Sequence, residues 1–281
     1  MDTGGRTVAK PSTTKPSTTK RSAQPNIRNY AVSSVEKALT LLSSFSLATP
    51  QWALSDLART HKLPKSTAHN LLKTLQAFDL VRQDPEDRVY RLGPRSLEMG
   101  FVYARSTEIL AQARPLLRRL AEKSRETVKL GMLSDNQVLI VAAVESTHQL
   151  HTRGDIGTRW PLHSTSLGKA ILSALPLAEA EALVGRKGLA AFTKHTTTSW
   201  SKLRADLGAI RERGYALDME ENEAGVRCVA APFVDPSRGA VAAVSVSGPS
   251  VRLSDTDLAS LGKEAMAAAR AIRPHTHWEE L

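Results

Sequence analysis

The sequence is poor in cysteine and lacks long apolar runs. Its 281 residues include one cysteine, Cys228, which excludes an internal disulfide framework and favours a reducing, cytoplasmic location. No apolar run reaches the roughly 18 residues of a membrane-spanning helix, and the N-terminus lacks the apolar core of a signal peptide. Neither a membrane location nor secretion is therefore predicted. The length is typical of two domains, each with its own core.

The basic surplus is concentrated in the first third of the chain. Residues 1–95 carry 15 Lys and Arg against 7 Asp and Glu, whereas residues 96–281 carry 23 against 21. This asymmetry favours a polyanionic partner for the N-terminal part and a different task for the nearly neutral remainder.

Residues 1–28 have a composition that cannot build a core. They are rich in Ser, Thr, Pro and Lys, repeat the hexapeptide KPSTTK and contain almost no large apolar side chain. We expect a disordered basic tail. It could contact DNA phosphates or simply be a solvated leader, and the sequence does not separate these alternatives.

Residues 29–93 contain three segments of helical period followed by a predicted hairpin. The expected inward-facing residues are Val35, Leu39, Leu42 and Phe45 in the first helix, behind a Ser33/Ser34 cap, then Leu54, Leu57 and Ala58, then Ala68, Leu71, Leu72 and Leu75. The segment LVRQDPEDRVYRLG then predicts two strands around an Asp84–Asp87 turn. This order predicts a winged helix-turn-helix.

The third of these helices has a polar face. Its residues are Lys65, Ser66, Thr67, His69, Asn70 and Lys73, and Arg88 lies in the predicted wing. Each residue alone could belong to a solvated helix face. The ordered elements together with the basic surplus instead predict that this face reads the major groove of double-stranded DNA.

The rest of the chain predicts a helical connection and a mixed domain. Residues 94–125 have helical period, with expected breaks at Gly100 and Pro115. Two hairpins follow, turning at Ser134–Gln137 and Asp235–Gly239, with helices between them and an amphipathic helix at the end. The expected fold class is α+β, with an antiparallel sheet covered by helices.

The enzyme motifs that the sequence suggests are incomplete or out of order. Ser166-Leu167-Gly168-Lys169 and Ser134-Asp135-Asn136 match fragments of serine acyl-enzyme motifs, but in reversed order and without Lys-Thr-Gly. Phosphate loops and His-Glu-x-x-His are absent, and the spacings His148-x-x-His151 and His275-x-His277 are too loose to predict a metal site. No cofactor or metal is expected. An acyl-transfer or amide-hydrolysing enzyme with a DNA-binding head remains the alternative function.

Several long segments together resemble the IclR family of bacterial transcriptional regulators. They are SVEKALTLLSSF, LSDLARTHKLPKSTAHNLLKTLQAFDLV, RVYRLG, PLHSTSLGKAILSALP and GYALDMEENEAGVRCVAAPFVD, so the resemblance runs from about Ser33 to the C-terminus. It implies a winged helix-turn-helix at 29–93, a linker helix at 94–112 and a GAF-like α/β effector-binding domain at 113–281. It also implies a repressor that works as a homodimer or homotetramer, with operator binding modulated by a small organic acid.

Within PLHSTSLGKA we expect a helix N-terminus, capped by Ser164, Thr165 or Ser166, that can bind a carboxylate. The family resemblance places the amides of Ser166 and Leu167 against that carboxylate, with polar contacts from Asp218 and Cys228. It also implies an apolar wall of Thr152, Trp160 and Val226, with a flat ligand ring possible against Trp160. Taken alone, Cys228 and Trp160 would be read as ordinary core residues.

Overall fold

The computed structural model describes Met1 and residues 32–185, 189–235 and 240–272. The predicted basic tail, the spacing His275-x-His277 and most of the turn 235–239 lie outside these residues. Within the described ranges, no helix is long and apolar enough to cross a membrane.

Three helices and a small sheet form the N-terminal unit. The elements in chain order are α1 (Ser33–Leu42), β1 (Gln51–Trp52), α2 (Leu54–Thr60), α3 (Lys65–Ala77), β2 (Val81–Gln83) and β3 (Tyr90–Leu92). Strands β2 and β3 form the predicted antiparallel wing, and β1 adds a third strand that the sequence did not reveal. The core contains Leu41, Leu57, Leu72, Val81 and Tyr90, all fully buried.

The prediction for the buried face of the first helix was only partly correct. Val35 and Leu39 are 54% and 55% exposed, but Phe45 is buried as expected, and Leu42 packs partly buried against the same core as Leu41. The N-cap is Val32 with no side-chain cap, so Ser33 and Ser34 do not cap the helix. The residues that pack in the core with α2 and α3 are Ala38, Leu41, Leu42 and Phe45, so the packed stripe is shifted from the predicted one.

The linker region is helical but breaks at neither predicted position. Helix α4 spans Pro94–Ser106 and helix α5 spans Glu108–Ser124, so Gly100 and Pro115 both lie inside helices. The break is at Thr107, whose backbone is extended and whose hydroxyl donates to the carbonyl of Tyr103 at 2.6 Å. A side-chain hydrogen bond thus ends α4, and no residue of α4 is buried.

The C-terminal unit is a six-stranded antiparallel sheet between two layers of helices. Its elements after α5 are β4 (Thr127–Ser134), β5 (Gln137–Val144), β6 (Arg159–Trp160), α6 (Ser166–Ser173), α7 (Leu177–Val184), α8 (Trp200–Arg213), β7 (Ala216–Met219), β8 (Val226–Asp235), β9 (Ala240–Pro249) and α9 (Asp255–Ala271). The strand order is β6-β5-β4-β9-β8-β7. Both predicted hairpins and the terminal helix are confirmed.

Residues alternate between the two faces of this sheet. Val241 and Ala243 of β9 pack with α6 and α8, whereas Ala242 and Val244 pack with α5 and α9. Helix α6 therefore lies on the same face as α8, and its eight residues are all buried.

Candidate functional site

The exposed face of α3 contains the predicted polar residues. Lys65, Ser66, Asn70 and Lys73 are exposed, and Thr67 and His69 are half-buried. Ala68, Leu72 and Leu75 fix the opposite face in the core. The first turn has no side-chain cap, so its backbone N–H groups add positive potential beside Lys65.

The wing presents one unpaired basic side chain. Arg91 binds Asp84 at 2.7 Å and Asp87 at 3.3 Å, so its charge is neutralised. Arg88 is exposed at the turn in a left-handed conformation, and Gln83 donates to its carbonyl. Within the described ranges the Arg88 guanidinium has no ion-pair partner, so it is free to contact phosphate.

A cavity of about 570 Å³ opens in the C-terminal unit beside the N-terminus of α6. Its walls come from the sheet, from α6 and from the loops around residues 150 and 223. All seven sequence-predicted ligand residues line this one cavity: Thr152, Trp160, Ser166, Leu167, Asp218, Val226 and Cys228. Residues distant in the sequence are therefore brought together around one space.

The first turn of α6 offers backbone donors to this cavity. Thr165 is the N-cap, and its hydroxyl accepts from the amide of Gly168 at 3.0 Å. In the described part of the chain, the amides of Ser166 and Leu167 have no acceptor. Because these N–H groups are buried and carry the positive end of the helix, the turn is suited to a carboxylate.

The carboxyl of Asp218 is protonated more readily than that of an ordinary aspartate. Burial raises its pKa to about 7, although the amides of Glu221 and Asn222, which donate at 2.7 Å and 3.4 Å, oppose the shift. Near neutral pH a substantial fraction of Asp218 is protonated, and it can then exchange hydrogen bonds with an anionic ligand without full charge repulsion.

Cys228 and Ser166 lack the partners of a nucleophile. Burial and the nearby Asp218 raise the pKa of Cys228 to about 12, so the thiol is neutral. The ammonium of Lys169 donates to Asp206 at 2.8 Å and to Glu221 at 2.5 Å, so it is engaged away from Ser166. The lysine of the Ser-x-x-Lys match therefore serves in ion pairs and does not assist Ser166.

Sequence reasoning missed Lys129 of β4. Its side chain lines the cavity at 8% exposure, with the ammonium 5.5 Å from the centre of the Trp160 ring. Burial lowers its pKa, while the surrounding acidic groups and Cys228 oppose the shift. A lone lysine in an apolar strand belongs to no known sequence motif. A charged residue within a strand that is otherwise apolar could nevertheless have indicated an unusual buried charge.

No group of three His, Cys, Asp or Glu side chains is placed to hold a metal ion among the residues that the structure covers. Near the cavity, His151 is bonded through Nδ1 to the carbonyl of His148 at 2.7 Å, so this pair forms a local turn contact.

Two family models match the chain. The IclR helix-turn-helix domain matches residues 34–85, and the bacterial transcriptional regulator IclR C-terminal model matches residues 101–273. The acetate operon repressor of Salmonella typhimurium (strain LT2) is 38% identical over 243 residues, which is 86% of this chain and 89% of that protein.

Solved structures agree with this match. A protein assigned as an IclR transcriptional regulator from Silicibacter sp. TM1040 has a TM-score of 0.78 at 29% identity, covering 85% of this chain and 94% of that one. An IclR homologue from Microbacterium hydrocarbonoxydans, crystallised with 4-hydroxybenzoate, has a TM-score of 0.70 at 22% identity, covering 85% and 99%. At that identity the second likeness speaks to the fold alone.

Proposed function

This chain belongs to the IclR family of bacterial transcriptional regulators, and we propose that it is a repressor whose operator binding is modulated by a small organic acid. The observation that carries the proposal is the cavity at the N-terminus of α6, where two unpartnered amides face a space lined by all the predicted ligand residues. Cavities of this size, largely apolar with a few polar groups, are typical of small-molecule sites.

Operator recognition is assigned to α3 and the wing. Lys65, Ser66 and Asn70 lie exposed at the start of α3, the end of a recognition helix that contacts bases. Thr67, His69 and Lys73 extend this surface, and Arg88 supplies a phosphate contact from the wing. Amide and ammonium groups suit adenine and guanine edges, respectively.

We predict that Asn70→Ala and Lys65→Ala lose operator preference, at about 1–3 kcal/mol for each base-reading contact. Arg88→Ala should weaken binding to all sequences alike, because a phosphate contact carries no sequence information. Fluorescence anisotropy on a duplex selected from a random library, and on its scrambled version, measures both effects. Lys263→Ala, on the exposed face of α9, is the control. Equal losses on both duplexes for the α3 variants would show that α3 does not read bases.

The acid is assigned to the first turn of α6. Its carboxylate accepts from the amides of Ser166 and Leu167, and a hydroxyl or amine on the ligand bonds to Asp218. Thr152, Trp160, Val226 and Cys228 complete the walls. The 4-hydroxybenzoate bound by the Microbacterium homologue is an acid of this general kind, with a carboxylate and a hydroxyl.

Ser166→Pro should weaken acid binding by about tenfold or more, whereas Ser166→Ala should change it little, because the donor is the main-chain N–H. Proline is tolerated at the first helical position, and Thr165 already has the extended backbone that a residue before proline requires. A thermal-shift screen with pyruvate, lactate, malate and 4-hydroxybenzoate identifies a binding acid, and calorimetry then compares the variants. A large loss in Ser166→Ala with none in Ser166→Pro would refute the backbone-amide site.

We also propose that the protein acts as a homodimer or a tetramer. Helix α4 exposes Leu97, Met99, Phe101, Val102 and Tyr103, and α1 exposes Val35 and Leu39. So many exposed large apolar side chains favour an association site in this region. The proposal also includes a GAF-like ancestry for the C-terminal unit. Its domain limits are 29–93, 94–112 and 113–281.

A further inference from the structure

Lys129 is a buried cation that forms no direct ion pair in the described part of the molecule. It is more than nine-tenths buried, lines the cavity and forms neither a hydrogen bond nor an ion pair there. Its ammonium lies 5.5 Å from the centre of the Trp160 ring. The carboxylates of Glu223, Asp155 and Glu145 act on Lys129 from a greater distance and oppose the lowering of its pKa, but all three residues are exposed to solvent. A buried ammonium is costly unless a partner neutralises it, so this group calls for an anion.

The sheet register places Lys129 at one end of the cavity floor. Asp218, Cys228, Ser247 and Thr127 are aligned across β7, β8, β9 and β4, and Lys129 is two residues further along the same face. Strands lie about 4.8 Å apart, so the backbones of Asp218 and Thr127 are separated by about 14 Å. Lys129 and Asp218 therefore approach the cavity from opposite sides, and a ligand that engages both must carry polar groups at two positions.

A polar side chain that faces Lys129 also lacks a hydrogen-bond partner among the described residues. Opposite Lys129 on β9 is Ser245, whose hydroxyl is buried and has no hydrogen-bond partner among the described residues. Gly131, the next residue on this face of β4, lies beneath Leu167 of α6. Lys129 is thus close to the first turn of α6 but forms a second polar position, separate from the two free amides.

We propose that the acid recognised by this cavity is a short aliphatic dicarboxylate, with one carboxylate on the amides of Ser166 and Leu167 and the other on the ammonium of Lys129. A hydroxyl on the carbon beside the first carboxylate bonds to Asp218. Because the ammonium of Lys129 occupies a face of the Trp160 ring, Trp160 positions the lysine on that face rather than stacking a ligand ring there. The inference rests on the proposed acid-binding function and specifies the class of acid.

Malate and 2-hydroxybutyrate are a matched pair of probes, since they differ by a carboxylate in place of a methyl group. In calorimetry on the full-length protein, malate should bind more tightly by about 10-fold to 100-fold, the range expected for a hydrogen bond to a charged group. Lys129→Met, which keeps an unbranched side chain only one atom shorter and removes the charge, should abolish this difference. Lys129→Arg should retain part of it, and Lys263→Met is the control for removal of an exposed charge.

The possible results separate this inference from the proposed function. If Lys129→Met weakens both acids equally, the ammonium shares the carboxylate of the α6 site and the dicarboxylate inference is wrong. If 2-hydroxybutyrate binds as tightly as malate to the wild type, the inference is also wrong, but acid binding stands. If neither these acids nor the wider panel binds, the proposed acid response itself fails. Lys129→Met should remain folded, because it replaces a buried charge with an apolar side chain beside Trp160.

Discussion

Lys169→Met is expected to destabilise the C-terminal unit by roughly 3–5 kcal/mol, the usual cost of removing one partner from a buried ion pair. The Lys169 side chain is 3% exposed, and its ammonium joins α6 to Asp206 of α8 and to Glu221, which follows β7. Without it, the carboxylate of Glu221 remains buried with no cation to neutralise it. Urea unfolding followed by circular dichroism measures the free energy of unfolding.

Two further variants test this explanation. Lys202→Met, at an exposed position of α8, should change the free energy of unfolding by less than about 0.5 kcal/mol. Adding Glu221→Gln to Lys169→Met should recover part of the loss, because the unpaired charge is then removed. If Lys169→Met unfolds like the wild type, the ion pair is not a structural link and the role of Lys169 must be reconsidered.

Phe101→Asp should convert the proposed dimer or tetramer to monomers and reduce operator affinity by about 100-fold or more, because the linked binding of two half-sites is lost. Phe101 is 61% exposed on α4, and a carboxylate at this position would have to be desolvated on association. Light scattering gives the oligomeric state, and anisotropy on the selected duplex gives the affinity.

Ala111→Asp, an exposed alanine of α5, introduces the same charge away from this face and serves as the control. Val35→Asp tests whether the exposed stripe of α1 belongs to the same interface. A Phe101→Asp protein that remains a dimer and binds the operator normally would place the interface elsewhere.

Local sequence signals predicted the elements that local chemistry determines. Asp135 and Asn136 adopt left-handed conformations in the turn between β4 and β5, as polar turn residues readily do. Ser254 and Asp257 form a capping box at the start of α9. These hairpin and helix boundaries depend on neighbours in the sequence, so the sequence alone was sufficient.

The wrong predictions concern choices that tertiary packing makes. Val35 and Leu39 fit helical period as well as Leu41 does, and only contact with the rest of the core decides which stripe is buried. Gly100 and Pro115 are helix-breaking residues tolerated within α4 and α5, while Thr107 ends α4 through a side-chain bond. The two-residue strands β1 and β6 are too short to produce a periodic pattern.

The cavity was predicted from the family resemblance rather than from residue chemistry. Nothing in the composition connects Asp218 with Ser166, because only the sheet and α6 bring them to one space. Lys129 was missed because a single lysine resembles a surface residue in sequence, and its position in an apolar strand was the one available sign of the burial that the structure shows.

Helix α4 has a thermodynamic consequence for the link between the two units. It has 13 residues and buries none of them, whereas isolated helices shorter than about 12–15 residues are marginal in water. Its helix–coil equilibrium is therefore sensitive to whatever covers its exposed apolar residues. If a second chain provides that cover, coil-to-helix conversion and association are one linked equilibrium. The stiffness of the helical connection between the N-terminal and C-terminal units then depends on protein concentration.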